Sequence, residues 1–167
     1  LIAPSSTVLA VLLMAVSIEN YPAKTTRLYC LHQRVTSVLQ GGAASATASL
    51  VDLCASLGVT SLELTVLQAL GIVQGTAGKA RLPAGARVFV GGSRVPAALR
   101  DALRTRVCPQ VYVNYGSQEV WRIASTYPDD PEPGLESVGR VFPWVELEIV
   151  DAEGRRLPEG EVGEVRV

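Results

Sequence analysis

The chain has 167 residues, 48% of them hydrophobic and 19% charged, so it can bury a sizeable core. Its formal net charge of −1, without any basic run, argues against nucleic-acid binding, which needs clustered lysines and arginines. Its three cysteines are an odd number and lie far apart, which argues against a paired-cysteine metal site or a disulfide framework. Reduced thiols in a cytoplasmic protein fit this pattern best.

The N-terminal part of the chain consists of apolar stretches broken by turn residues. Val8 to Val16 is too short to cross a bilayer, which takes about 20 residues, so we predict a buried helix or strand and no membrane span. Asn20-Tyr21-Pro22 indicates a break, and Arg34 to Leu39 indicates a buried strand. His32 lies far from other metal-binding side chains and is interpreted as a structural or surface histidine. Because the chain begins with Leu1, we expect a segment cut from a longer protein.

The middle of the chain alternates between apolar strands and helices. The small-residue stretch from Gly41 to Ser49 carries no lysine and is interpreted as an ordinary strand-to-helix loop, not a phosphate-binding loop. The pattern then predicts a helix over Ala48–Leu57, a strand over Val59–Leu64, a helix over Thr65–Val73, a strand over Arg87–Val90, a helix over Pro96–Val107 and a strand over Val111–Asn114.

Two glycine-containing loops follow predicted strands. Gly91-Gly92 stops one strand, and Ser93 is predicted to cap the next helix. Tyr115-Gly116-Ser117 is predicted to be a turn after the next strand. Five arginines around these loops are interpreted as a solvated helix face, because Asp101 interrupts them: Arg87, Arg94, Arg100, Arg104 and Arg106.

Near-continuous apolar strands that alternate with helices predict an α/β fold, a mostly parallel sheet flanked by helices. In such sheets ligands bind at the carboxyl ends of the strands, so both glycine loops should open onto one crevice. After Tyr127 a proline-rich linker follows, and then alternating Val145–Val150 and a last strand over Gly163–Val167. We therefore expect two units: residues 1–136 form the α/β subdomain, and residues 137–167 form the first strands of an incomplete, β-rich subdomain.

The segment from Tyr115 to Glu119 combines groups that suit a nucleotide. A planar base can stack on Tyr115, and a divalent ion can bind Glu119. Across the crevice, Gly91 and Gly92 allow the backbone to approach a ligand without an intervening Cβ. From either loop alone, an ordinary turn with a solvated Glu119 is the simpler interpretation.

Four segments in order resemble motifs of the adenylate-forming (AMP-binding) enzyme superfamily, which includes acyl-CoA synthetases, luciferases and the adenylation domains of peptide synthetases. They are Val90-Gly-Gly-Ser-Arg-Val-Pro96, Tyr115-Gly-Ser-Gln-Glu119, Ser137-Val-Gly-Arg140 with the stretch from Phe142 to Asp151, and Leu157-Pro-Glu-Gly-Glu-Val-Gly-Glu-Val165. The match is clear from about Val59 to the end. The chain therefore resembles a central fragment of such an enzyme.

The resemblance implies a carboxylic-acid-activating ligase that uses ATP and Mg²⁺ to form an acyl-adenylate. The acid then usually passes to a thiol, either coenzyme A or a carrier-protein phosphopantetheine. Glu119 would be a catalytic residue that holds magnesium, and Gln118 would contact the phosphate. The cofactor-binding residues would be Gly91, Gly92, Ser93, Asn114, Tyr115, Gly116 and Ser117. The resemblance implies that the acid is lined partly by the helix that follows Thr65, by the residues around Gly91 and by residues 120–123. These positions are mostly apolar, although Arg122 is charged, so they suggest an apolar or aromatic acid without identifying it.

Two departures and two absences bear on activity. Gln118 replaces the family's usual threonine, and Val113 stands where many members have a polar residue at the adenine edge. The family's lysine-bearing phosphate loop is expected before Leu1, and its ribose-binding aspartate and catalytic lysine are expected after Val167. These N- and C-terminal parts of the same enzyme would be partners of the fragment, which alone is expected to be inactive.

Two other interpretations remain open. A non-catalytic binding or interaction module could keep this fold, and Gln118 favours it slightly. An unrelated, doubly wound nucleotide-binding domain would normally show Gly-x-Gly-x-x-Gly after its first strand, which this sequence lacks.

Overall fold

The structure is a computed structural model that describes residues 11–14, 21–39, 47–75, 81–83, 85–130 and 137–167. In chain order its elements are β1 (Val11–Met14), α1 (Tyr21–Gln33), β2 (Thr36–Leu39), α2 (Thr47–Ser56), β3 (Ser61–Thr65), α3 (Val66–Gly75), β4 (Arg87–Gly91), α4 (Ala97–Arg106), β5 (Val111–Ser117), β6 (Trp121–Ser125), β7 (Arg140–Val141), β8 (Glu148–Val150) and β9 (Glu164–Arg166).

A seven-stranded sheet in the order β2-β1-β3-β4-β5-β6-β7 organises the fold. The strands from β2 to β5 pair in parallel, while β6 pairs antiparallel with both β5 and β7. A separate two-stranded antiparallel sheet joins β8 to β9. The predicted fold class, a mostly parallel α/β sheet followed by a small β-rich part, is confirmed.

The core lies between the sheet and the helices α2, α3 and α4. Successive strand side chains point to opposite faces, so Leu62 and Leu64 of β3 enter this core while Glu63 points away from it. Helix α1 lies at the opposite face, where Thr26 donates a hydrogen bond to Glu63 at 3.5 Å. Helices therefore cover both faces of the parallel strands, as a βαβ arrangement requires.

Several local predictions are wrong, each for a physical reason. The sequence interpretation also missed α1, which begins at Tyr21-Pro22, a position where proline loses no helical hydrogen bond. Ser93 does not cap α4, because the N-cap position is Pro96, which makes no side-chain capping bond. Tyr115-Gly116-Ser117 is not a turn but the end of β5, because β6 extends the pairing. The sequence interpretation missed β6 altogether.

The C-terminal part is divided between the two sheets. Strand β7 adds to the edge of the large sheet, whereas β8 and β9 form the small one. Of the predicted strand Val145–Val150, only Glu148–Val150 pairs. The expected division between residues 136 and 137 stays a prediction. Within the described ranges, no helix is long and apolar enough to span a bilayer.

Candidate functional site

A cavity of about 310 Å³ opens at the carboxyl ends of β4 and β5. Its volume lies at the lower end of the roughly 300–1,000 Å³ typical of ligand pockets. Its lining comes from both glycine loops, from α4 and from the segment before β7: Gly92, Ser93, Arg94, Val95, Arg100, Val113, Asn114, Tyr115, Gly116, Ser137 and Val138. The expectation that both loops open onto one crevice is confirmed.

Two adjacent glycines shape the β4 side of the cavity. Gly91 pairs with Asn114 of β5, and a Cβ on Gly91 would lie 2.9 Å from the Asn114 carbonyl oxygen. Gly92 adopts φ +86°, which L side chains rarely populate, but a Cβ there would meet no atom within 4 Å. The first glycine therefore permits close strand packing, and the second permits the turn into the cavity.

The β5–β6 hairpin holds the opposite wall. The pairing register shifts between Tyr115 and Gly116, and a Cβ on Gly116 would lie only 1.7 Å from the Trp121 carbonyl oxygen. Trp121 itself adopts φ +67°, a strained value for a bulky residue. This bulge turns the end of β5 so that Tyr115 lines the cavity.

Buried hydroxyl groups fix the hairpin behind the cavity. The Val113 N–H donates to Thr126 Oγ1 at 2.9 Å, and the Thr126 N–H donates to the Val113 carbonyl at 3.0 Å. The Ser125 hydroxyl donates to Asn114 Oδ1 at 2.9 Å. Asn114, which lines the cavity, is thus held in one orientation by β6.

Ser117, Gln118 and Glu119 lie at the exposed tip of this hairpin and do not line the cavity. A hydrogen bond from the Ser117 hydroxyl is the main reason that the pKa of the Glu119 carboxyl is lowered. The Val120 N–H also donates to Ser117 Oγ at 3.3 Å. Glu119 is therefore an ionised, accessible carboxylate at neutral pH. Hard cations such as Mg²⁺ prefer this type of ligand.

The structure brings together five of the predicted site residues at the cavity: Gly92, Ser93, Asn114, Tyr115 and Gly116. Gly91 lies next to them in β4, while Ser117, Gln118 and Glu119 lie at the hairpin tip. Sequence reasoning missed Val95, Ser137 and Val138, which line the same cavity.

Arg100 was also missed, because it was assigned to a solvated helix face. It is only 6% exposed, so that prediction is wrong for Arg100. The available signal was helical spacing: Arg100 lies three residues before Leu103, a core residue, and therefore on the covered side of α4.

A second polar cluster lies on the sheet face that α1 covers. Arg122 Nη2 lies 2.6 Å from Glu63 Oε1, and the Arg122 guanidinium lies 5.3 Å from the centre of the Phe89 ring. Phe89 in turn stacks on Tyr112, with ring centres 4.9 Å apart. Burial raises the pKa of the Glu63 carboxyl, and the neighbouring Arg122 charge opposes this rise.

The cysteines and the histidine match their predicted states. Cys30, Cys54 and Cys108 are free and buried, and burial raises the pKa of each thiol. His32 lies on the surface. Within the described part of the chain, no cluster of three or more His, Cys, Asp or Glu side chains could hold a metal ion.

Residues 10–167 match the sequence profile of the family described as AMP-binding enzyme. The chain is also 32% identical over 81 residues to YdaB of Bacillus subtilis (strain 168), a protein named as an acyl-CoA ligase. That alignment covers 48% of this chain and 16% of YdaB.

The chain spans 32% to 39% of the length of three solved structures with similar folds. The amide bond synthetase McbA from Marinactinospora thermotolerans is 26% identical, with a TM-score of 0.78, and the match covers 94% of this chain and 32% of McbA. O-succinylbenzoate coenzyme A synthetase (MenE) of Bacillus subtilis, in complex with ATP and magnesium, is 20% identical with a TM-score of 0.80, and the match covers 95% of this chain and 32% of MenE. A luciferase-like enzyme from the mealworm Zophobas morio is 16% identical with a TM-score of 0.81, and the match covers 93% of this chain and 39% of that enzyme. The last two similarities concern the fold alone.

Proposed function

The chain belongs to the AMP-binding family of adenylate-forming ligases, and from that premise we propose that it is the nucleotide-side part of a longer carboxylic-acid-activating enzyme. The enzyme joins a carboxylate to ATP and then transfers the acid to a thiol. Coenzyme A or a carrier-protein phosphopantetheine is the acceptor, and the enzyme acts in the cytoplasm. The three buried, reduced thiols support that compartment.

The observation that carries the proposal is the cavity between the β4 and β5 loops. Tyr115 and Gly92 line it together, although they lie more than twenty positions apart in the sequence. An aromatic ring on one wall and a side-chain-free backbone on the other suit a flat heterocyclic base. We propose that adenine stacks on Tyr115, with Gly91, Gly92 and Ser93 along its other side.

Glu119 and Gln118 at the hairpin tip would meet the phosphates. Mg²⁺ is commonly held by one or two carboxylates together with substrate phosphates, so the single ionised Glu119 fits such a site. When bound, the ion would neutralise charge on the phosphates. The Gln118 amide can donate a hydrogen bond to a phosphate oxygen, as threonine does in most family members.

The reaction would proceed in two steps, formation of the acyl-adenylate and transfer of the acyl group to a thiol. A carboxylate oxygen attacks the α-phosphorus of ATP, and the bond to pyrophosphate breaks, so that pyrophosphate leaves with the electron pair. A thiolate then attacks the acyl carbon of the acyl-adenylate and expels AMP. The residues of this chain would contribute positioning of the base and charge stabilisation at the phosphates, and neither role needs a covalent intermediate with the protein.

The acid would bind beside residues 120–123. The only basic side chain there, Arg122, is already paired with Glu63 and lies over Phe89. Since that charge is balanced internally, residues 120–123 themselves offer the Trp121 ring, two aliphatic side chains and no unpaired cation. We therefore propose an apolar or aromatic acid.

Exchange of labelled pyrophosphate into ATP by the full-length protein tests this function. We expect exchange that requires both a carboxylic acid and Mg²⁺, and we expect Glu119→Gln to reduce it at least roughly tenfold because the carboxylate ligand is lost. Glu159→Gln, an exposed carboxylate in the turn before β9, is the matched control and should leave exchange unchanged.

A non-catalytic binding module is the second candidate, which Gln118 favours. Such a module would show no exchange with any acid, and its affinity for ATP and Mg²⁺ would not depend on Glu119. Both results together would contradict the ligase proposal.

A further inference from the structure

Arg100 is a buried charged residue that the four family motifs do not include. It lies in α4 and is 6% exposed, and its Nε–H has no hydrogen-bond acceptor in the structure. A guanidinium carries five N–H donors and cannot be deprotonated in a protein. Burial without an acceptor therefore destabilises the fold, unless a group that binds later supplies one.

The cavity is where that acceptor would bind, because Arg100 lines it together with Tyr115 and Gly92. Among the other lining residues, Val95 and Val113 offer no acceptor side chain, and the Asn114 amide oxygen already accepts a hydrogen bond from the Ser125 hydroxyl. Tyr115 and the side-chain-free backbone of Gly92 line the same cavity, and this pair favours a flat heterocycle over a phosphate group as the source of the acceptor. A flat heterocycle would bury its faces and present ring acceptors at its edge.

We propose that Arg100 binds the edge of the nucleobase, by donating a hydrogen bond to a ring acceptor of the purine that stacks on Tyr115. This inference rests on the proposed function and goes beyond it, because it names a specificity-determining residue. It also accounts for Val113, which stands where many members of the family have a polar residue at the adenine edge. In this chain the polar group would come from α4 and not from β5.

Because the Arg100 guanidinium can donate hydrogen bonds but cannot accept them, its role predicts which purine bases the protein binds. A guanidinium can donate to the ring nitrogens of adenine or to the oxo group of hypoxanthine, but it cannot accept a hydrogen bond from the adenine amino group. Hypoxanthine keeps the acceptors N3 and N7 but carries a proton on N1, so ITP should bind to the wild-type protein within a few-fold of ATP if the acceptor is N3 or N7, and more weakly if it is N1. Arg100→Met should weaken the binding of both ATP and ITP.

The test measures equilibrium binding of ATP, ITP and deaza-ATP analogues to the full-length protein, with N1, N3 or N7 of the purine replaced by carbon in turn. Arg100→Met should lower the affinity for ATP roughly tenfold to a hundredfold, which is the range expected for losing a hydrogen bond to a charged group. One of the three analogues should bind to Arg100→Met and to wild type equally well, because it already lacks the acceptor. Arg106→Met, an exposed arginine in the last turn of the same helix, should leave all affinities unchanged.

Stability without nucleotide separates a binding role from a structural one. Methionine replaces an unpaired buried charge with an apolar chain of similar length, so Arg100→Met should keep or raise the Tm of the nucleotide-free protein. Arg100→Lys keeps the positive charge but lacks the planar guanidinium, so its affinity for ATP should lie between those of Arg100→Met and the wild-type protein.

The outcomes separate the two proposals. Wild-type binding of ATP that Arg100→Met leaves unchanged would overturn the role of Arg100 and leave the proposed function standing. A lower nucleotide-free Tm with unchanged binding would identify Arg100 as structural and overturn it as well. No ATP binding by the wild-type protein would overturn the proposed function, and the role of Arg100 with it.

Discussion

Gly92 and Gly116 stand on opposite walls of the cavity, and they are required for different physical reasons. Gly92 is needed for its left-handed backbone at φ +86°, with open space around it. Gly116 is needed because the Trp121 carbonyl occupies the position of a side chain. Both glycines could be noticed in the sequence, but the sequence alone does not distinguish backbone strain from close packing.

This difference predicts unequal costs for the same substitution. Gly92→Ala should destabilise the protein by about 1 kcal/mol, through backbone strain alone. Gly116→Ala should cost about 3 kcal/mol, since the hairpin must open to admit the methyl group. Calorimetric Tm values of the two variants of the full-length protein measure the difference, and equal Tm losses would contradict the packing role of Gly116.

At the level of secondary-structure elements, the hairpin of β5 and β6 positions the residues that form one wall of the cavity. The sequence predicted β5 up to Asn114 and then a turn, because Gly116 and Ser117 are typical turn residues. The structure instead continues pairing to Ser117 opposite Trp121. Local turn propensity was overridden by tertiary pairing, and β6 was missed because its pairing with β5 and β7 is not visible in its own residues.

The Glu63–Arg122 pair links β3 to β6 across the sheet. Removing Arg122 would leave Glu63 buried without its cation and would raise the pKa of that carboxyl further, because only burial and Thr26 remain. A carboxyl with a raised folded pKa stabilises the fold below its ordinary pKa of about 4.3 and loses that contribution as the pH rises through the folded value.

Arg122→Met should therefore destabilise the full-length protein by about 2 kcal/mol at pH 7, and by less at pH 5, because acidification favours the neutral form of the buried Glu63 carboxyl. Glu63→Gln combined with Arg122→Met should remove most of this pH dependence. Tm values measured at both pH values check the prediction, and a loss in Arg122→Met that is independent of pH would show that Arg122 acts through packing against Phe89.

At the scale of the whole molecule, this chain spans 32% of the solved relatives McbA and MenE. In the proposed function it supplies the adenine and magnesium side. From the resemblance we expect the phosphate loop and the catalytic lysine in segments outside the chain. Catalysis by positioning needs all of these groups held together in one geometry.

The isolated 167-residue chain should therefore show no acid-dependent exchange of pyrophosphate into ATP, under conditions in which the full-length protein does. The reason is that charge stabilisation at the phosphates is lost when the lysine-bearing parts are absent. Exchange by the isolated chain above the rate of a buffer control would contradict this expectation.

Apolar periodicity and local motifs are properties of neighbouring residues, so they were sufficient to predict the fold class, the family and the order of the two loops. The sequence also predicted that the loops would share one crevice, because parallel strands end at the same edge of a sheet. Which other side chains reach that crevice depends on tertiary packing. Arg100 of α4 is buried at a cavity that β5 also lines, and the Trp121 carbonyl of β6 leaves no room for a side chain at position 116 of β5. Both features join residues from different elements. Contacts of this kind depend on the depth and angle at which helices and hairpins pack, which no local pattern encodes.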